Sequence, residues 1–117
     1  MTKSRSKRLP KHLAFVRENL CMIADVRDDW LHERHNDIQK QICNGPVQAH
    51  HLLKPWIGER GWSMKSTDEN TVPLCFHHHS QLHHNGAEDA FWEHYNQSRD
   101  FGRAYAQRML RRFNEVL

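Results

Sequence analysis

Apolar residues in this chain come in short bursts separated by charged stretches, and their spacing changes from one segment to the next. In Lys11-His-Leu-Ala-Phe-Val-Arg-Glu-Asn-Leu20, the residues Leu13, Val16 and Leu20 share one face of a helix. That helix can begin at Pro10, because proline lacks only an N–H that a first turn leaves unpaired anyway. From Met22 to Ile42, Leu31, Ile38 and Ile42 keep helical spacing in an otherwise charged stretch, which reads as a weakly packed helix or a long connection. The texture changes at Cys43: Asn44-Gly45-Pro46 is a turn signal, and Val47 to Leu53 is a short strand. Residues 54–69 carry Pro55, Gly58, Gly61, Ser63, Ser66 and Thr67 and read as an irregular loop. Asn70 to Cys75 is a second short strand, with Pro73 marking an edge or an end. A helix from Phe76 to about His84 stops at Asn85-Gly86, and a further helix spans Ala87 to about Tyr95. Phe101, Tyr105, Met109 and Phe113 recur at every fourth position, which predicts an amphipathic helix of about four turns with its arginines on the open side.

A chain of 117 residues accommodates one domain and excludes a large α/β enzyme fold. The order of elements places it in the α+β class. Its mean hydropathy of −0.90 implies a thin core, and no apolar run approaches the roughly 20 residues that cross a bilayer, so a membrane protein is not expected. The basic first residues are not followed by an apolar stretch, so no secretory leader is expected and the default compartment is the cytoplasm.

Eleven histidines and three cysteines change the picture, because an odd thiol count suits metal ligation better than a disulfide framework. The net charge of +3 permits an anionic partner without demanding one. Its distribution says more: Lys3, Arg5, Lys7, Arg8 and Lys11 crowd one end, and Arg99, Arg103, Arg108, Arg111 and Arg112 crowd the other. Residues 1–10 read as a flexible basic tail and 11–117 as one domain.

The chemistry is concentrated between His50 and His83. His79 and His83 form an i, i+4 pair that projects from one helix face and can chelate one ion if a third ligand arrives from elsewhere. His50, at a strand end, can be that ligand. Neighbouring strand residues point to opposite sides, so His51 stays off the ion and remains an imidazole beside it, the position of a general base. Three imidazoles suit zinc, nickel, cobalt or manganese, whereas magnesium prefers oxygen.

His50-His51, Asn70, His79 and His83, in the order strand, loop, strand, helix, resemble the ββα-metal (His-Me finger) motif of HNH nucleases, with a spacing similar to that of the nuclease colicins. The wording of Ala49-His-His-Leu52, Met64-Lys65 with Asp68, Thr71-Val-Pro-Leu-Cys75, Leu82-His83 and Glu88-Asp-Ala-Phe-Trp92 resembles the phage-associated, recombination-enhancement (Ref-like) group of HNH proteins. The resemblance covers roughly residues 11–95 and implies a ββα-metal core at about 43–86 with flanking N- and C-terminal helices. It implies a metal-dependent endonuclease that hydrolyses DNA, with His51 as base, the metal on His50, His79 and His83, and 5′-phosphate products. Asn70 resembles the residue that holds the loop and orients the base through backbone contacts. Magnesium supports many such nucleases. A recombinase or phage protein is a conceivable partner by the same resemblance, and oligomeric state is left open.

Cys75 and His78 resemble the CxxC half-site that many HNH proteins use for a structural zinc, with His78 in place of the second cysteine. Cys21 and Cys43 complete a Cys₃His site if the segment between them loops out; otherwise they are ordinary buried thiols. The basic tail (Lys3, Arg5, Lys7, Arg8), Lys65 in the loop, and Arg108, Arg111 and Arg112 are candidate phosphate contacts, against the alternative of a solvated tail and faces. His12, His32, His35, His77, His84 and His94 read as surface residues, Trp56, Trp62 and Trp92 as packing anchors, and Trp30 as either an anchor or a base-stacking platform. A non-catalytic zinc module that binds DNA or protein is the rival reading, distinguished by its having no use for an unligated His51.

Overall fold

A computed structural model describes residues 8–31, 43–58 and 65–116. The elements follow as α1 (Pro10–Arg17), α2 (Met22–Asp25), α3 (Arg27–Trp30), β1 (Val47–His51), a 3-10 turn (Asp68–Asn70), β2 (Thr71–Cys75), α4 (Phe76–Asn85), α5 (Glu88–His94) and α6 (Phe101–Val116). The two strands form an antiparallel pair in which Val47 faces Cys75, Ala49 faces Pro73, His50 faces Val72 and His51 faces Thr71. Each strand is an edge, so the missing N–H of Pro73 interrupts no ladder beyond it. The result is a small α+β fold, as the order of elements predicted. No helix among the described residues is long and apolar enough to cross a membrane.

β2 is buried at every position because it is covered on both sides. α1 and α6 pack on it, α6 also reaching the 3-10 turn, while α2 and α4 lie against it as well. The core joins Val72 and Leu74 of β2 to Val16, Met22, Ile23, Trp30, Leu82, Trp92, Tyr95, Tyr105 and Met109. α6 presents Phe101, Tyr105 and Met109 to this core at the fourfold spacing, with Arg108, Arg111 and Arg112 exposed.

The turn at 44–46 has a job at the start of α4. Pro46 O accepts from Phe76 N at 2.9 Å and Asn44 O from His77 N at 3.0 Å, while Cys75 Sγ accepts from His78 N at 3.4 Å. Three N–H groups that a helix start leaves orphaned are thereby paired. Gly45 is required there: its φ is +83°, and a Cβ would lie 2.5 Å from Cβ of Phe76.

Several expectations are corrected. Met22 and Ile23 are fully buried and Trp30 is a core residue whose Nε1–H donates to Ile23 O at 3.0 Å, so these three residues tie the segment to the core while Asp25, Arg27, Asp28 and Asp29 stay exposed. Ile38 and Ile42 lie outside the described residues. Leu20 is 62% exposed, because α1 ends at Arg17 and the Leu13–Val16 stripe does not extend to it. β1 ends at His51, although Leu52 N still donates to Asn70 O at 2.9 Å. Pro10 is the first residue of α1, the start its missing N–H was expected to permit, and residues 1–7 lie outside the described residues. His12 is a core residue, 1% exposed, packed between Phe15 and Phe113. His94 and His84 are exposed, as expected; His32, His35 and Trp62 lie outside the described residues.

Candidate metal centres

β1 and α4 bring His50, His79 and His83 together: Nδ1 of His50 lies 3.1 Å from Nε2 of His79, which lies 2.9 Å from Nε2 of His83. The partners of the other nitrogens decide what these contacts are. Nε2–H of His50 donates to Glu88 Oε2 at 2.8 Å, and a carboxylate only accepts, so Nδ1 carries the lone pair. Nδ1–H of His79 donates to Gln48 Oε1 at 2.6 Å, so its Nε2 also carries a lone pair. Two lone pairs facing each other repel unless a cation lies between them. Nitrogens bound tetrahedrally at about 2.0–2.1 Å stand roughly 3.3 Å apart, close to the observed spacing. Burial, with His50 and His83 close by, pushes the pKa of His79 down to about 4, which keeps it neutral and able to ligate.

Glu88 and Gln48 set the tautomers of this group, as outer carboxylates and amides do for ligating histidines. Glu88 is buried at the start of α5, and its oxygens also accept from Leu53 N at 3.0 Å and Lys54 N at 3.2 Å. Neither residue was singled out as a site residue from the sequence. Gln48 had a signal, since it sits two positions from His50 and therefore on the same strand face. Glu88 is brought in by tertiary packing after the α4 stop, where Gly86 at φ +80° turns the chain back.

The second cluster comprises Cys21 at the start of α2, Cys43, and Cys75 and His78 at the start of α4. Nδ1 of His78 lies 3.6 Å from Sγ of Cys21, 3.6 Å from Sγ of Cys43 and 3.2 Å from Sγ of Cys75. All four ligand atoms lie within 4.8 Å of one another, which a tetrahedral Cys₃His ion requires. Of the two sequence alternatives, the ligand-gathering one is the geometry observed. A hydrogen bond from Cys21 holds the Cys75 thiol down at about 3, against the opposing effect of burial and with help from His78. Cys21 is pushed up by that same bond and by burial, and Cys43 by burial and the nearby Cys75. A divalent ion on these four atoms would displace the remaining thiol protons.

His51 belongs to neither cluster. Its ring turns away from His50, and Nε2 lies 2.9 Å from Asp68 Oδ1. Burial alone would raise the Asp68 pKa, but the His51 bond, a hydrogen bond from Leu9 N at 2.7 Å, and the charge of Arg8 hold the carboxyl below its usual range. Asn70 is fully buried. Its Oδ1 accepts from Trp56 N at 2.7 Å, its Nδ2 donates to Thr67 Oγ1 at 2.9 Å, and its carbonyl takes Leu52 N. It ties the loop at Trp56 and Thr67 to the end of β1 at Leu52, while the ring of His51 meets Asp68.

Of the candidate phosphate contacts, Arg8, Lys65, Arg108, Arg111 and Arg112 are exposed, and Arg108 lies 5.1 Å from the centre of the Tyr105 ring. Lys3, Arg5 and Lys7 lie outside the described residues. Compared with protein-family models, with curated proteins and with solved structures, the chain matches none.

Proposed function

We propose that this chain is a metal-dependent endonuclease of ββα-metal type that hydrolyses DNA phosphodiester bonds, with His51 as general base. The observation that carries the reading is the division of labour at the end of β1: His50 faces two more imidazoles while its neighbour His51 faces away, tied to a carboxylate. A metal-only module has no use for that second histidine.

In-line hydrolysis needs a group that takes a proton from water and a cation that offsets charge on the phosphate and the leaving oxygen. A divalent ion held by His50, His79 and His83 supplies that charge when bound. Glu88 and Gln48 keep the lone pairs of His50 and His79 aimed inward, and His51 takes the proton. The three-imidazole donor set favours zinc, nickel or manganese, with magnesium as the turnover ion to be tested. The Cys₃His group reads as a structural zinc site that sets the start of α4. DNA is the proposed partner, and with so small a domain, sequence selectivity is weak or supplied by a recombinase or phage protein.

The test is cleavage of supercoiled and single-stranded DNA by wild type and His51→Ala, in chelator and after return of magnesium, manganese, nickel or zinc, with bound metal counted per chain. Metal-dependent cutting by wild type, with His51→Ala retaining metal but inactive, is the expected result. Equal cutting by both proteins removes His51 as the base, and no cutting under any ion favours the binding-module reading.

A further inference from the structure

We infer that Asp68 is the positioning residue for His51, and that the backbone N–H of Leu9, by holding the far oxygen of that carboxylate, builds the start of α1 into the same site. The base role of His51 rests on the nuclease reading; the hold itself does not.

A neutral imidazole on a strand end can rotate and can exchange its proton between two nitrogens. Asp68 removes both freedoms. Its Oδ1 lies 2.9 Å from Nε2 of His51, the two side chains being 15% and 17% exposed, so the pair is largely shielded from competing water. Because a carboxylate only accepts, the ring proton stays on Nε2 and the lone pair on Nδ1. Nδ1 accepts no hydrogen bond from a described residue, which leaves it for an attacking water.

Asp68 is itself held at two further points. Its carbonyl accepts from Thr71 Oγ1 at 2.8 Å, and Thr71 is the residue opposite His51 in the strand pair. Base and carboxylate therefore hang from one rung of the sheet. Oδ2 accepts from Leu9 N at 2.7 Å, so both carboxylate oxygens are engaged and the group cannot turn. Arg8, the next residue, is exposed and its charge favours the ionised carboxylate. Arg8 thus stands next to the residue that anchors the carboxylate of the base, where an anionic strand would have to lie.

Asp68→Asn tests both halves. If Leu9 N–H holds the far position, the amide oxygen of the new side chain turns to Leu9 and its NH₂ faces His51, which must then move its proton to Nδ1. The readout is the ring-nitrogen NMR correlation of His51 in zinc-loaded protein, assigned against His51→Gln. Expected are an Nε2–H tautomer in wild type, an Nδ1–H tautomer in Asp68→Asn, and Nε2–H again in Asp68→Glu, which restores the carboxylate. With unchanged metal content, kcat of Asp68→Asn should fall steeply with KM unmoved; the same swap in the serine-protease triad costs on the order of 10⁴. The same tautomer in wild type and Asp68→Asn overturns the inference. The expected tautomers in a wild type that cuts no DNA support the hold and overturn only the nuclease reading.

Discussion

His78 and His79 are consecutive residues of one helix yet face two different ligand clusters, His78 towards three sulfurs and His79 towards His50 and His83. About 100° of helix rotation separates them. The thiol cluster therefore sets the rotation at which α4 presents His79 and His83 to β1.

The two clusters should respond unequally to loss of a ligand. Cys75→Ser is expected to lower the metal count by one, to lower the Tm sharply, and to weaken metal binding at the histidines, because structural zinc contributes on the order of 10 kcal/mol in peptide models. His83→Ala removes an exposed ligand and should lower the count by one with little change in Tm. Elemental analysis with thermal melts checks both; a Cys75→Ser protein that keeps its full metal count and Tm contradicts the assignment.

Glu88→Gln should cost both metal affinity and stability. Glu88 accepts from His50 Nε2, Leu53 N and Lys54 N, and one amide oxygen cannot replace two carboxylate oxygens before three donors. Metal affinity at the histidine group should drop by about 10–100-fold, and stability by about 1–3 kcal/mol. Chelator competition and urea denaturation read the two effects separately.

His12 predicts a pH dependence. Its ring is buried, neither nitrogen has a hydrogen-bond partner among the described residues, and burial lowers its pKa despite the opposing charges of Asp68 and Glu69. Below about pH 6.5 the unfolded chain takes up a proton that the folded chain refuses. The fold should therefore be at full strength above that pH and lose stability as pH falls through it. His12→Phe should remove this component and, by deleting an unpaired buried polar group, raise stability by about 1–3 kcal/mol. Urea curves at about pH 5.5 and 7.5 for both proteins test it; an unchanged difference between the two pH values would refute the buried-neutral assignment.

Much of this was legible where the signal is local. Pro10, Asn44-Gly45-Pro46 and Gly86 mark the ends they were expected to mark, the fourfold spacing predicted α6, and His79 and His83 needed only helical geometry to meet. What was not legible depends on packing between distant segments. His12 reads as a polar helix residue until Phe113, one hundred and one positions away, covers it. Met22 and Ile23 form an apolar doublet without periodicity, so nothing local announces their burial. The carboxylates of Glu88 and Asp68 reach His50 and His51 across 38 and 17 residues of chain, and only tertiary structure shows which acids arrive.

Arg108, Arg111 and Arg112 supply a test of how DNA would be held. They lie at i, i+3 and i+4 on α6 and so share one exposed face. Arg108 is also steadied by its place over the Tyr105 ring, itself fixed by a hydrogen bond to Asp25 at 2.8 Å. Each phosphate contact steepens the fall of log K with log salt by about 0.9 on duplex DNA. Replacing all three with glutamine should therefore flatten that slope by up to about 2.7 while leaving metal content and Tm unchanged. Binding measured between low and physiological salt gives the slope directly. A wild-type slope retained by the triple variant would take α6 out of the interface and leave Arg8 and Lys65 as the exposed described candidates for phosphate contacts.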